Sequence, residues 1–230
     1  SVLVDRAVGG SSMKDGQIEL MLHRRLLYAD RAIGEALNET VCILKECKGL
    51  TIKGKYFFRI DRIGEGAQWR RSAGQEIYSP LVLAFSELEK DWKKNKVLSF
   101  SGFNDSYSLP ENVAIITLQE LDCGRTLLRL AHLYEIGEHE VLSAMAHVKL
   151  KKLFPEKEIT EVTEMSLSAN QERAEMERKR LAWNVGNPSE EEPKVSRGGP
   201  VDPVSLVVEL APMEIRTFVV KFQYIRLHGV

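Results

Sequence analysis

Apolar and polar residues alternate with a period of two along most of the chain, in short runs rich in Val, Ile, Leu and Phe separated by Gly, Asp and Pro. Such alternation turns apolar side chains to one face of an extended strand and polar ones to the other. The clearest runs span residues 17–24, 51–62, 76–85, 112–119, 126–136, 141–149, 204–210 and 214–222. Between them, "KDGQ" at 14–17, "IGEGAQ" at 63–68 and "DCGR" at 122–125 each place Gly where a hairpin needs positive φ. This spacing predicts an all-β fold of antiparallel β-sandwich layers. One sandwich or two packed sub-domains both fit 230 residues.

One segment departs from the pattern. In "SANQERAEMERKRLAW" at 168–183, Ser168 precedes Gln171 as in a capping box, and the following residues are good helix formers. A single short helix is expected there, its charges of mixed sign forming surface ion pairs. The next stretch, "NVGNPSEEEPKVSRGGPVDP" at 184–203, combines prolines, glycines and an acidic run, and reads as a flexible loop within the fold.

Charge narrows the choice of partners. With 32 basic and 33 acidic residues the net charge is -1, so no global field favours nucleic acid or an anionic membrane. No apolar run approaches the length of a membrane span. The first residues, "SVLV", read as a strand already under way, with neither an initiator Met nor a signal-peptide pattern, and the expectation is a piece of a longer or processed polypeptide. Of three cysteines, Cys42 and Cys47 stand close enough to close a small loop if the chain turns back between them, which leaves Cys123 over. Asn38-Glu39-Thr40 and Asn104-Asp105-Ser106 are glycosylation acceptor patterns. Together with the cysteine pair they lean toward the secretory pathway.

Catalytic equipment is hard to find in this chain. The five histidines are scattered; the nearest approach to a metal site is His132, Glu135 and His139, which strand alternation sends to different faces. No Gly-x-Ser-x-Gly elbow occurs, and "IGEGAQ" lacks the third glycine and following helix of a dinucleotide loop, so it reads as a hairpin turn. No pair of carboxylates stands out for acid/base work.

The remaining signal is "QIELMLHRR" at 17–25. Alternation puts Ile18, Leu20, Leu22 and Arg24 on one face and His23 with Arg25 on the other, so one arginine continues an apolar face. A guanidinium there must find a carboxylate or carbonyls. Either it pins a strand end to a neighbouring layer, or Arg24 or Arg25 reaches across a domain boundary to catalytic carboxylates or sugar hydroxyls.

The same residues carry a resemblance. "DRAVGGSSMKDGQIELMLHRRLLYADRAIGEALNET", beginning at Asp5, closely resembles the Asp-Arg-x-x-Gly-Gly-Ser-Ser, Asp-Gly-x-x-Glu-Leu-Met and His-Arg-Arg-Leu-Leu segment of the class II α-mannosidases, glycoside hydrolase family 38. "LLRLAHLYEIGE" at 127–138 and "LAPMEIRTFVVKF" at 210–222 fit as well, and "SLSANQERAEMERKRLAW" at 166–183 is similar to the lysosomal and plant vacuolar branch.

That resemblance implies a retaining, zinc-dependent exo-α-mannosidase acting on terminal mannose of glycans in a vacuole or lysosome. The family's Asp nucleophile, its acid carboxyl and its zinc ligands belong to an N-terminal catalytic domain, and none maps onto this sequence. The chain would be the C-terminal β-domain region, inactive alone, partnered by the N-terminal catalytic piece and open to forming a homo-oligomer of processed heterodimers. The family arginine that lines the active-site cavity matches Arg24 or Arg25. A free-standing carbohydrate-binding or structural β-sandwich, and a Golgi-type glycan-processing member of the family, are the alternatives.

Overall fold

The computed structural model describes residues 1–28, 36–62, 64–80, 83, 85, 107–154, 157–181 and 197–224. The chain divides into two units, residues 1–82 and 83–230, which differ sharply in how much they bury.

The strands of the first unit are short: β1 (Val2–Val4), β2 (Gly10–Ser11), β3 (Glu19–Leu20), β4 (Thr40–Ile43), β5 (Glu46–Gly49) and β6 (Tyr56–Phe58), with helix α1 (Gly66–Tyr78) after them. They form three antiparallel pairs, β1 with β6, β2 with β3 and β4 with β5. The predicted turn at 14–17 lies between β2 and β3, where the Gln17 amide donates to Lys14 O at 3.1 Å. The strand expected over 17–24 contracts to Glu19–Leu20. Its ladder to the glycine pair ends as the Met21 amide donates to Gly9 O at 2.9 Å.

Two expectations in this unit are corrected. Gly64 does take a positive φ of 91°, but the chain then enters α1 instead of turning back, so "IGEGAQ" is a helix entry and not a hairpin. The strand expected over 76–85 is likewise replaced at its start, because Glu76 to Tyr78 close α1. Ala, Gln, Arg and Glu across 67–76 favour helix, and Ala67 and Gly74, two turns apart, share its buried side. Tyr78 fastens the helix end to β1, its hydroxyl donating to Val4 O at 2.9 Å. Even so, Leu3 and Ala67 are the only apolar side chains buried among the described residues of this unit.

The second unit carries the core. In chain order it contains β7 (Val113–Glu120), β8 (Arg125–His132), β9 (Ala146–Lys149), helix α2 (Leu150–Leu153), β10 (Lys157–Met165), helix α3 (Arg173–Lys179), β11 (Val207–Leu210) and β12 (Ile215–Tyr224). Four strands form an antiparallel sheet in the order β10-β12-β8-β7, and β9 pairs with β11 as a separate ribbon. Leu128, Leu130, Phe218 and Val220 of the sheet meet Val148, Val208 and Leu210 of the ribbon in one cluster, all seven fully buried. Each such side chain is worth about 1.5–3 kcal/mol of transfer free energy. The two layers therefore make the expected β-sandwich.

Five of the predicted strands lie in this unit, trimmed or shifted at their ends. The turn at 122–125 also forms, with Gly124 at φ 71° and the Leu121 amide donating to Arg125 O at 2.7 Å. β10 was not foreseen. A register shift between Ile159 and Glu161 breaks its alternation, and Glu158, Glu161 and Glu164 mask its apolar side. The helix expected over 168–183 shortens to Arg173–Lys179, and α1 and α2 accompany it, so the helix is not single. The capping box does not form: Ser168 Oγ bonds Asn170 Oδ1 at 2.9 Å, and Glu172 occupies the N-cap.

Of the loop expected over 184–203, residues 184–196 lie outside the described residues. The Gly198 amide donates to Glu214 Oε2 at 2.8 Å and the Gly199 amide to Glu209 Oε2 at 3.1 Å. Among the described residues no helix is long and apolar enough to cross a membrane.

Candidate functional site

Strand β12 turns Arg216, Phe218 and Val220 to one face, so a guanidinium continues the row that fills the core. Its side chain is 0% exposed. On the adjacent strand β10, Glu164 sits opposite Phe218 and thus diagonal to Arg216, within reach of a long side chain. The pair is bidentate: Arg216 Nε donates to Glu164 Oε1 at 2.8 Å and Nη2 to Oε2 at 2.6 Å. The third donor, Nη1, crosses to the ribbon and donates to Glu209 O of β11 at 2.8 Å. One guanidinium thus ties both layers of the sandwich.

Helix α3 adds a second cation. Arg173 donates from Nη1 to Glu164 Oε1 at 2.5 Å and from Nε to Glu177 Oε1 at 2.9 Å, and stands 3.9 Å from Glu214. Burial pushes the Glu164 carboxyl up, but hydrogen bonds and charge from Arg216 and Arg173 outweigh it and hold the group below its ordinary value. Gly198 is fixed by the same cluster: a Cβ there would lie 2.0 Å from Glu209 O and 2.9 Å from Arg216 Nη1, so no other residue fits without displacing backbone. A pocket of about 400 Å³ opens beside the latch, lined among others by Leu167, Met176, Arg197 and Met213, and no aromatic ring lines it.

Among the described residues the histidines do not assemble a metal site. His132 is buried, accepts the Tyr134 amide on Nδ1 at 3.2 Å and so donates from Nε2 to Ala144 O at 2.9 Å. His139 Nδ1 accepts the amides of Val141 and Leu142, both at 3.1 Å. With those ring nitrogens engaged by backbone, His132 and His139 do not fit zinc, and among the described residues no three His, Cys, Asp or Glu side chains form a group that could hold a metal.

The sequence-predicted residues of the first unit lie on exposed chain. Arg24 and Arg25 follow the end of β3 and are exposed, as is His23, because alternation stops before it reaches them. Arg25 leans on the foot of the β4–β5 hairpin, where a Cβ added to Gly49 would lie 3.5 Å from Nη1. Cys42 and Cys47 are register partners in that hairpin and are disulfide-bonded, while Cys123 is free and exposed. Asn38 is exposed just before β4; Asn104 lies outside the described residues. The rule that an arginine on an apolar row needs a carboxylate therefore operates at Arg216, a residue the sequence reading passed over. Its signal was there in the row Arg216, Phe218, Val220, Phe222.

Residues 112–218, which hold the ribbon and all of the sheet but the end of β12, match the family described as the glycosyl hydrolases family 38 C-terminal beta sandwich domain. The chain is 61% identical over 224 residues to an alpha-mannosidase of Arabidopsis thaliana, covering 96% of this chain and 22% of that protein. It is 53% identical over 226 residues to an alpha-mannosidase of Canavalia ensiformis, covering 96% of this chain and 23% of that protein. With the lysosomal alpha-mannosidase of Bos taurus it shares 36% identity over 230 residues, 97% of this chain and 22% of that protein. The chain thus spans about a fifth of the length of the curated relatives it matches.

The latch makes two predictions. Glu164→Met strands the buried guanidinium of Arg216 and should cost about 3–5 kcal/mol in urea unfolding, whereas Arg216→Met with Glu164→Met should cost less than the sum of the single changes. Because the folded carboxyl titrates below its ordinary value of 4.5, its contribution is complete above that pH and is lost as pH falls through the lower, folded value. The stability gap between wild type and Glu164→Gln should therefore close in acid below about 4.5, measured by unfolding at a series of pH values.

Proposed function

We propose, for a chain that belongs to glycosyl hydrolase family 38 through its C-terminal β-sandwich domain, that it is the non-catalytic C-terminal part of a retaining, zinc-dependent exo-α-mannosidase. The whole enzyme removes terminal α-mannose from glycans. The observation that carries this reading is the near-complete coverage of this chain by plant and lysosomal alpha-mannosidases at 36–61% identity.

The chemistry is divided between parts of the polypeptide. Attack on the anomeric carbon, protonation of the leaving oxygen and zinc coordination fall to the N-terminal catalytic piece; zinc, when bound there, polarises sugar hydroxyls. This chain contributes a cation. Arg24 and Arg25 stand exposed beside Met21, Leu22, Leu26 and Leu27, which are apolar and also exposed. A surface of that kind is suited to an interface, where burial would strengthen a guanidinium's hydrogen bonds to carboxylates or sugar hydroxyls. A free-standing module is disfavoured by the same exposure, since an independent domain covers such side chains.

The location that goes with this activity is a vacuole or lysosome. Exposed Asn38, within an acceptor pattern, and the Cys42–Cys47 disulfide both suit passage through the secretory pathway. Asn104 is a second acceptor, and the processed pieces would associate further as a homo-oligomer.

Kinetics of the full-length enzyme test the arginine assignment. Arg24→Met and Arg25→Met should behave unequally: the one at the cavity should lower kcat/KM on an aryl α-mannoside roughly 10–100-fold, the loss of a charge-assisted hydrogen bond, with little change in Tm. Chelation should abolish the activity and zinc restore it. If both variants lose only Tm, the arginines are structural.

A further inference from the structure

Every residue of the two strands of the β4–β5 hairpin, Thr40–Ile43 and Glu46–Gly49, is exposed. Leu44 and Lys45 form its two-residue turn with φ of 48° and 77°. Both central residues take the left-handed conformation that hairpins normally assign to Asn-Gly, so the turn is strained. The Cys42–Cys47 disulfide clamps the register pair one step below. An isolated two-stranded hairpin is marginal in water, and a covalent brace holding a strained turn keeps this one in shape.

What the brace presents is apolar. Leu44 is 95% exposed at the tip, and Ile43, Val41, Leu50 and Ile52 are exposed below it. Lys45 and Lys48 are set among them. Arg25 rests against Gly49 at the foot, so the hairpin and Arg25 belong to one face.

We infer that this hairpin is a docking thumb, whose tip of Ile43 and Leu44 inserts into an apolar recess with an acidic rim on the part of the enzyme outside this chain. The inference rests on the reading of the chain as part of a larger mannosidase. Three observations choose that occupant. About four-fifths of the relatives' length lies outside this chain, which supplies enough surface. The first unit buries only Leu3 and Ala67 among its described apolar side chains, so its exposed apolar residues call for an extensive cover. The thumb and its foot are cationic, with Lys45, Lys48 and Arg25 against Glu39 and Glu46; a symmetric contact with a second copy would oppose like charges, whereas an acidic rim complements them. Asn38 sits six residues before the tip, about 20 Å along an extended strand, so a glycan there would stand at the rim and leave the tip free.

Hydrogen exchange on the intact enzyme, across about a hundredfold dilution, tests this with Leu44→Asp as the comparison. Leu44 is exposed within its own unit, so the change leaves the fold of this chain in place. Amides 40–49 of the wild type should exchange at least roughly tenfold more slowly than those of the variant, at every concentration. Opening the clamp with Cys42→Ser and Cys47→Ser together should produce the same loss. Protection that disappears on dilution would assign the thumb to a second copy, and equal exchange in wild type and Leu44→Asp would leave it undocked; either result overturns the inference. Hydrolysis of an aryl α-mannoside by the same samples is read separately, and its absence from the wild type would overturn the functional reading without touching the exchange result.

Discussion

The sandwich of the second unit depends on one buried guanidinium. Arg216 occupies a core-facing position of β12, where an unpaired charge would be prohibitive, and each of its donor groups is answered: two by Glu164 on the neighbouring strand and one by the Glu209 carbonyl on the opposite layer. From this follow the glycine at 198, which alone leaves room for the crossing, and the placement of residues 197–199 against Glu209 and Glu214. Arg173 on α3 completes the charge of Glu164 and brings the helix to the same corner. Because both arginines hold the carboxyl below its ordinary value, the latch stays ionised into mild acid, which suits the compartment proposed for the enzyme.

The first unit follows the opposite logic. Its strands are two to four residues long, and its rigid features are local: Tyr78 on β1 and a disulfide across one hairpin. Side chains such as Leu27, Leu44 and Ile60, more than 80% exposed, would be a liability on a free domain. They become intelligible as one side of an interface. On the proposed reading a stable sandwich is joined in sequence to a unit whose structure is completed by contact, and it is the first unit that carries the arginine pair.

How far the sequence could be read tracks how local the determining physics was. Strands β7, β8 and β12 were legible because each holds a run rich in apolar and β-branched residues, eight or more residues long. β10 was not, since Glu158, Glu161 and Glu164 interrupt its apolar positions and Glu164, its most consequential residue, looks like a surface charge until Arg216 lies beside it. The helix at Gly66–Tyr78 was hidden behind a glycine turn that resembles a hairpin and ahead of an apolar run that resembles a strand. In the candidate site, Cys42 and Cys47 were readable from separation alone. The Arg216 latch obeyed the rule applied to Arg24 but required knowing which strands neighbour β12, and that is a property of topology.

The central claim is that the exposed face of the first unit closes over an active site supplied by the rest of the polypeptide and delivers an arginine to it. The most direct measurement is a structure of the intact enzyme with a mannose analogue bound. One of Arg24 and Arg25 should then lie within hydrogen-bonding reach of the sugar or of the carboxylates around it, with the side chains near it buried. Both guanidinium groups standing in solvent, remote from the bound sugar, would contradict the claim.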